Sequence, residues 1–148
     1  MTEPTETKAL SEATREVLET MFFTDVAGDT PTEAGVPTAG LVAAMRFEGE
    51  RPGEFRVTVT AEAAKTIAAN FLGTDEEVPE SRVEEVTCEL TNMICGSVLS
   101  RVGRNLAFEL SHPELVPVQA VTPWTDGSAR SFNLGNGSLT AAIRFGKG

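Results

Sequence analysis

Residues 54–60 alternate strictly, with Phe55, Val57 and Val59 set against Arg56, Thr58 and Thr60. A period of two fits a strand with one face in an apolar core, and no helix satisfies it. The preceding run, residues 41–48, is apolar and then alternating, and a turn through Gly49 to Gly53 joins the two. Two such runs around a short Gly/Pro turn make a β-hairpin. Residues 61–72 follow directly, rich in Ala, with Ile67 and Phe71 four apart and Gly73 at the end. That pattern predicts a helix closed by a C-terminal glycine.

The remaining segments extend this plan. Residues 1–8 are polar and acidic and are expected to be a flexible tail, with no apolar stretch of the kind a signal peptide needs. Residues 9–26 read as a helix, since Leu10, Ala13, Val17 and Met21 recur at three- and four-residue spacings. Residues 28–40, with Gly, Pro, Thr and Glu, read as a loop. An acidic link at residues 74–81 leads to a long helix over 82–102, capped by Ser81 and stopped by Gly103. A strand at 106–110 is interrupted by His112-Pro113, and residues 116–121 read as another extended piece. Ser131–Leu134 and residues 138–145 flank Gly135-Asn136-Gly137 and form a closing hairpin. The order α-β-β-α-α-β-(β)-β-β implies an α+β fold, with helices packed on one face of a largely antiparallel sheet. Residues 9–148 are expected to form a single domain.

Charge limits what such a domain can bind. The net charge of −10 argues against a nucleic-acid backbone or an anionic membrane as partner, since both require a Lys/Arg surface. It is compatible with a protein partner that is basic where the two meet. No apolar run is long enough to span a membrane. Cys88 and Cys95 are seven residues apart, two helical turns, and so roughly 10 Å apart along the axis. A disulfide between them is geometrically excluded, and the pair reads as small apolar residues of a reducing, cytoplasmic compartment.

The long helix carries the chemistry. On a wheel of about 100° per residue, Val83, Val86, Leu90, Ile94 and Ser97 share the stripe that must face the core. Glu85, Glu89, Asn92 and Gly96 fall opposite it, so an acid and an amide one turn apart point at the same patch of solvent. Cys88, Cys95 and Leu99 lie between the stripes, against another helix. Asn offers a donor and an acceptor and can orient a water molecule. Glu is ionised at neutral pH and can pair with a cation on a partner. A helical Gly costs about 1 kcal/mol against Ala, so Gly96 implies that something comes close there, either a partner or a neighbouring helix. Glu85 is either solvated surface or a partner contact. The chain has no self-contained active site of a familiar kind: no phosphate-binding Gly-rich loop, no zinc spacing and no dinucleotide fingerprint. Its one histidine, His112, reads as a loop residue, Trp124 as a partly buried anchor, and Phe22 and Phe23 as core.

The segment Glu89-Leu90-Thr91-Asn92-Met93-Ile94-Cys95-Gly96, after Glu84-Glu85-Val86, resembles the Glu-x-x-Asn-hydrophobic-Ile-x-Gly signature of the CheX branch of the CheC/CheX/FliY phosphatases. The strand Phe55–Val59, the helix before Gly73, the acidic link at 75–80 and the opening helix resemble that family too. The resemblance covers residues 9–112, and the C-terminal third is similar only in its two-strand ending. Ser97 stands where the family often has Asn.

The resemblance implies a hydrolase acting on the aspartyl-phosphate of a CheY-type response regulator. Asn92 would enter the regulator's active site and position the attacking water, and Glu89 would pair with the regulator's lysine. Glu85 and Gly96 would lie at the contact. It also implies that Mg²⁺ is held by the regulator, with no cofactor in this chain, and that the chain is a homodimer. CheC-type relatives carry two such helices. Here Glu16-Val17-Leu18-Glu19 and Glu19-Thr20-Met21-Phe22 lack the Asn, so one site per chain is expected. The alternative is a non-catalytic module of the same fold that binds a receiver domain or another signalling partner. The intact Glu89/Asn92 pair favours the enzyme.

Overall fold

The computed structural model describes residues 5–35, 37, 39–103 and 107–146. The chain runs α1 (Thr5–Met21), β1 (Gly28–Thr32), β2 (Leu41–Gly49), β3 (Gly53–Val59), α2 (Ala61–Leu72) and α3 (Glu80–Val102). It continues through β4 (Phe108–Leu110), β5 (Glu114–Leu115), a 3-10 turn at Val118–Ala120, β6 (Ser128–Asn133) and β7 (Ser138–Phe145). The strands form one antiparallel sheet in the order β1-β6-β7-β3-β2-β4, with β5 also pairing β2. This is an α+β fold, and its three helices contribute to one core on one sheet face.

The alternation that opens the sequence argument sets this core. In-facing residues stack in rungs across three strands: Met45 opposite Phe55 opposite Ile143, and Leu41 opposite Val59 opposite Leu139. Phe47, Phe55 and Phe132 are fully buried, as are Leu10 and Leu18 from α1 and Leu90 and Ile94 from α3. Each large apolar side chain removed from water in this way contributes about 1.5–3 kcal/mol. Phe47 also meets Phe108 and Phe145 edge-on, with ring centroids 5.8 and 5.5 Å away.

Local signals are honoured at most joints. Gly73 closes α2 with φ 66, the left-handed conformation that a Cβ disfavours. In the β6–β7 hairpin, Asn136 donates to Thr66 Oγ1 at 2.7 Å and so clips the turn to α2. On the far sheet face, Trp124 lies between the guanidinium groups of Arg56 and Arg144, each 4.4 Å from its ring. It is half-buried, the anchor the sequence suggests.

Other expectations are corrected. Helix α1 begins at Thr5, inside the expected tail, and ends at Met21 rather than near Val26. Met21 is exposed although it continues the apolar spacing, because it sits on the last turn, beyond the sheet's cover. The expected loop at 28–40 contains β1, a polar edge strand whose apolar signal is absent because every residue in it is half-buried or exposed. Ser81 does not cap α3; Pro79 occupies that position and its carbonyl accepts from the backbone of Arg82 and Val83. In the expected extended piece at residues 116–121, Val118–Ala120 form a 3-10 turn rather than a strand. The start of the expected strand at 106–110 lies outside the described residues. Phe22 is buried, but Phe23 is 68% exposed with φ 50. It occupies the left-handed position where α1 ends: Phe22 N–H donates to Val17 and Thr24 N–H to Leu18, so its side chain is turned outward.

Strand β1 is held by charge rather than by apolar contact. The Asp29 carboxylate accepts from Ser11 at 2.8 Å, from Arg15 at 2.8 Å and from Arg130 at 2.6 Å. Burial raises the pKa of Asp29, but the hydrogen bonds from Ser11, Arg130 and Arg15 together outweigh it and hold the group below the usual carboxylate range. A lowered folded-state pKa contributes stability that is full above the unfolded value and is lost as pH falls through the folded value. Asp29→Asn is therefore expected to cost about 2 kcal/mol in urea unfolding at pH 7. The gap from wild type should shrink as the pH drops below about 4. A gap equal at pH 7 and pH 3 would contradict this role.

Candidate functional site

Helix α3 buries Val83, Val86, Thr87, Leu90, Thr91, Ile94, Cys95, Val98 and Leu99. So broad a stripe arises because α3 packs at once on the sheet and on its two neighbouring helices. The two buried threonines are satisfied locally: Thr87 Oγ1 donates to the Val83 carbonyl and Thr91 Oγ1 to that of Thr87, both at 2.8 Å. Ser97, expected in the stripe, is half-buried and instead meets the Arg101 guanidinium, which reaches on to Glu16 of α1 at 2.9 Å. That ion pair ties the end of α3 to α1.

What the stripe leaves outside is Glu85, Glu89 and Asn92, all exposed on one line of the helix. Glu85 meets Arg82 one turn earlier at 3.4 Å, an exposed pair. Among the described residues, Glu89 and Asn92 have no side-chain hydrogen bond or ion pair within the chain. A Cβ built on Gly96 would find no atom within 4 Å. Close helix packing therefore does not explain this glycine, and the surface beyond Asn92 is bare.

These residues do not stand on an isolated helix. Glu85, Cys88, Glu89 and Asn92, with Ser81 and Glu84, form one side of an open groove of about 720 Å³. The other side is His112, Pro113 and Leu115. His112, a plain loop residue by its sequence context, lines this groove. The cause is a bulge in the sheet edge. Leu110 pairs with Phe47 and Glu114 with Ala44, so three residues on the edge (111 to 113) face two on β2 (46 and 45). Pro113 has no N–H to give the ladder. Ser111 holds the break, its N–H donating to the Arg46 carbonyl and its Oγ accepting from the Arg46 N–H, both at 2.8 Å. The surplus residue brings the edge to the groove. The interrupting proline was visible in the sequence, but the neighbour it faces depends on pairing with β2.

Cys88 and His112 both line the groove, a pairing that would suit nucleophilic catalysis. The chemistry disfavours it. Burial raises the Cys88 pKa, and Glu84 and Glu114 raise it further, so the group remains a thiol. Cys95 is pushed up to about 12 by burial alone. On the far sheet face a smaller cavity of about 160 Å³ is lined by Arg56, Thr58, Thr140 and Ala142. There the Arg56 guanidinium is committed to the carbonyls of Thr122 and Ala34 at 2.8 and 3.0 Å. Among the described residues no group of three or more His, Cys, Asp or Glu could hold a metal ion, and no helix is long and apolar enough to cross a membrane.

Residues 41–128 match the family model described as chemotaxis phosphatase CheX. The chain belongs to the CheX family. The match begins at β2 and contains all of the groove; it overlaps the sequence resemblance over 41–112 and runs further, to residue 128. No curated protein matches the chain. Among solved structures, a chemotaxis protein CheX from Desulfovibrio desulfuricans is 21% identical with a TM-score of 0.78, covering 95% of this chain and 99% of that one. A CheC-like superfamily protein from Shewanella is 18% identical with a TM-score of 0.77, covering 99% and 100%. A chain of the CheX-CheY-BeF3-Mg complex from Borrelia burgdorferi is 16% identical with a TM-score of 0.72, covering 93% and 96%. These likenesses establish the fold of the CheX family for this chain.

The open space at Gly96 makes a direct test of the helix. Gly96→Ala should stabilise α3 by about 1 kcal/mol and raise Tm by about 2–4 °C in a thermal melt. A lower Tm would mean that the position is crowded within the chain.

Proposed function

We propose that this chain hydrolyses the aspartyl-phosphate of a CheY-type response regulator in two-component signalling. The observation that carries the reading is the pair Glu89 and Asn92, exposed, without partners among the described residues and side by side in a groove open to a protein surface. The CheX family match supports it, as does the Borrelia burgdorferi relative, whose structure is a complex with CheY.

In this reading the chain supplies half of a site. Water attacks phosphorus, the P–O bond to the aspartyl carboxylate breaks, and the products are a free aspartate and inorganic phosphate. The Asn92 amide enters the receiver's site, accepts a hydrogen bond from the water and holds it in line with that bond. Glu89 pairs with the receiver's lysine and fixes the angle of entry. Mg²⁺ belongs to the receiver. Phosphoryl transfer asks mostly for positioning and charge stabilisation, so one amide and one carboxylate are sufficient contributions from this side. Glu85 and Gly96 lie along the same contact, Gly96 leaving room for close approach.

The test is phosphate release from phosphorylated receiver domains of the same cell with Mg²⁺ present. Wild-type protein should accelerate release. Asn92→Ala should lose about 100-fold of the acceleration with an unchanged melt. Glu89→Gln should raise KM by roughly tenfold, since it removes one partner of a charged pair. If no receiver loses phosphate faster but receivers still bind, the chain is the non-catalytic module instead. Full activity in Asn92→Ala would remove that residue from the mechanism.

A further inference from the structure

We propose that the bulged edge at residues 111–115 is a docking wall that selects the receiver, gripping a basic segment beside its phosphorylation site. The inference rests on the phosphatase reading above and adds a second contact to it. Any protein surface that reaches Asn92 enters a groove whose opposite side is His112, Pro113 and Leu115. The partner therefore cannot meet the helix alone.

The groove's chemistry defines what fits between its walls. Glu84, Glu85 and Glu89 line it, and among the described residues no Lys or Arg does; of those described, His112 is the one lining side chain able to carry positive charge. The negative field comes from both sides: the pKa of the Cys88 thiol is raised first by burial and then by Glu84 of α3 and Glu114 of β5. Pro113 and Leu115 give the far wall an apolar lip, half-buried against the chain. A short segment with a cation next to an apolar side chain matches this lining. Two acidic surfaces would be mutually repelled, so the wall also rejects receivers that are acidic there.

Residues on this wall take no part in the reaction at phosphorus. They bind the receiver equally before and during the reaction, so they set KM and Kd rather than kcat. His112 is exposed, and changes there do not threaten the core. His112→Lys places a cation in the groove and is expected to raise both KM for phosphorylated receiver and Kd for receiver held active by beryllofluoride and Mg²⁺, by about fivefold at low salt. His112→Glu adds to the negative field and should lower both by about twofold. In both variants kcat should stay within about twofold of wild type, and both shifts should shrink at high salt.

KM and Kd unchanged in both variants, or moved in the same direction in both, would overturn the docking wall. So would a fall in kcat at constant KM. The binding arm separates this from the broader reading: wild type that binds but does not hydrolyse refutes the phosphatase, while opposite Kd shifts in the two variants still support the wall. Wild type that binds no activated receiver overturns both.

Discussion

Helix α3 buries nine side chains on one stripe, against β2 and β3 on one side and its helical neighbours on the other. Rotating it would expose Leu90 and Ile94, which are now 1% and 0% exposed. Each would then lose about 1.5–3 kcal/mol of burial. The rotation of this helix is therefore fixed by the core. Because it is fixed, Glu85, Glu89 and Asn92 cannot turn inward, and their direction relative to the sheet edge is set. The functional face is a by-product of packing, which gives the site its rigidity: it stands on a helix seated on a sheet rather than on a loop.

The sheet contributes the second half of the groove. An edge strand normally continues its ladder, or is blunted to prevent edge-to-edge association. Here a proline and one surplus residue break the edge between β4 and β5, and the break faces α3. The carboxylates of the helix and of β5 then act on the same small volume. Burial first, and their field in addition, raise the pKa of Cys88 above the usual thiol value. Glu84, Glu85 and Glu89 line the groove, so a surface that is basic there would be complementary to it.

Much of this was legible in the sequence because apolar periodicity reports burial. The alternation of residues 54–60 and the three- and four-residue spacing of α3 gave the hairpin, the helix and the outward face carrying Glu89 and Asn92 correctly. Polar elements were illegible for the same reason. Strand β1 is held by the Asp29, Arg15 and Arg130 contacts between residues far apart in sequence, and carries no period to read. Phe23 looked like core because its type is apolar, yet a left-handed helix end turns it to solvent. His112 was seen only as a loop residue because its neighbour, α3, is chosen by the register of β2 with β4 and β5. A helix end and a strand register are tertiary decisions.

The central claim is that the exposed face of α3, completed by the edge bulge, is the surface that meets a receiver domain. Amide hydrogen exchange on the full chain, alone and with receiver held active by beryllofluoride and Mg²⁺, tests it most directly. The account predicts slower exchange confined to residues 81–96 and 110–115, with β1 and the far sheet face around Trp124 unchanged. Protection of the far face or of β1, with α3 and the bulge unaffected, would contradict it.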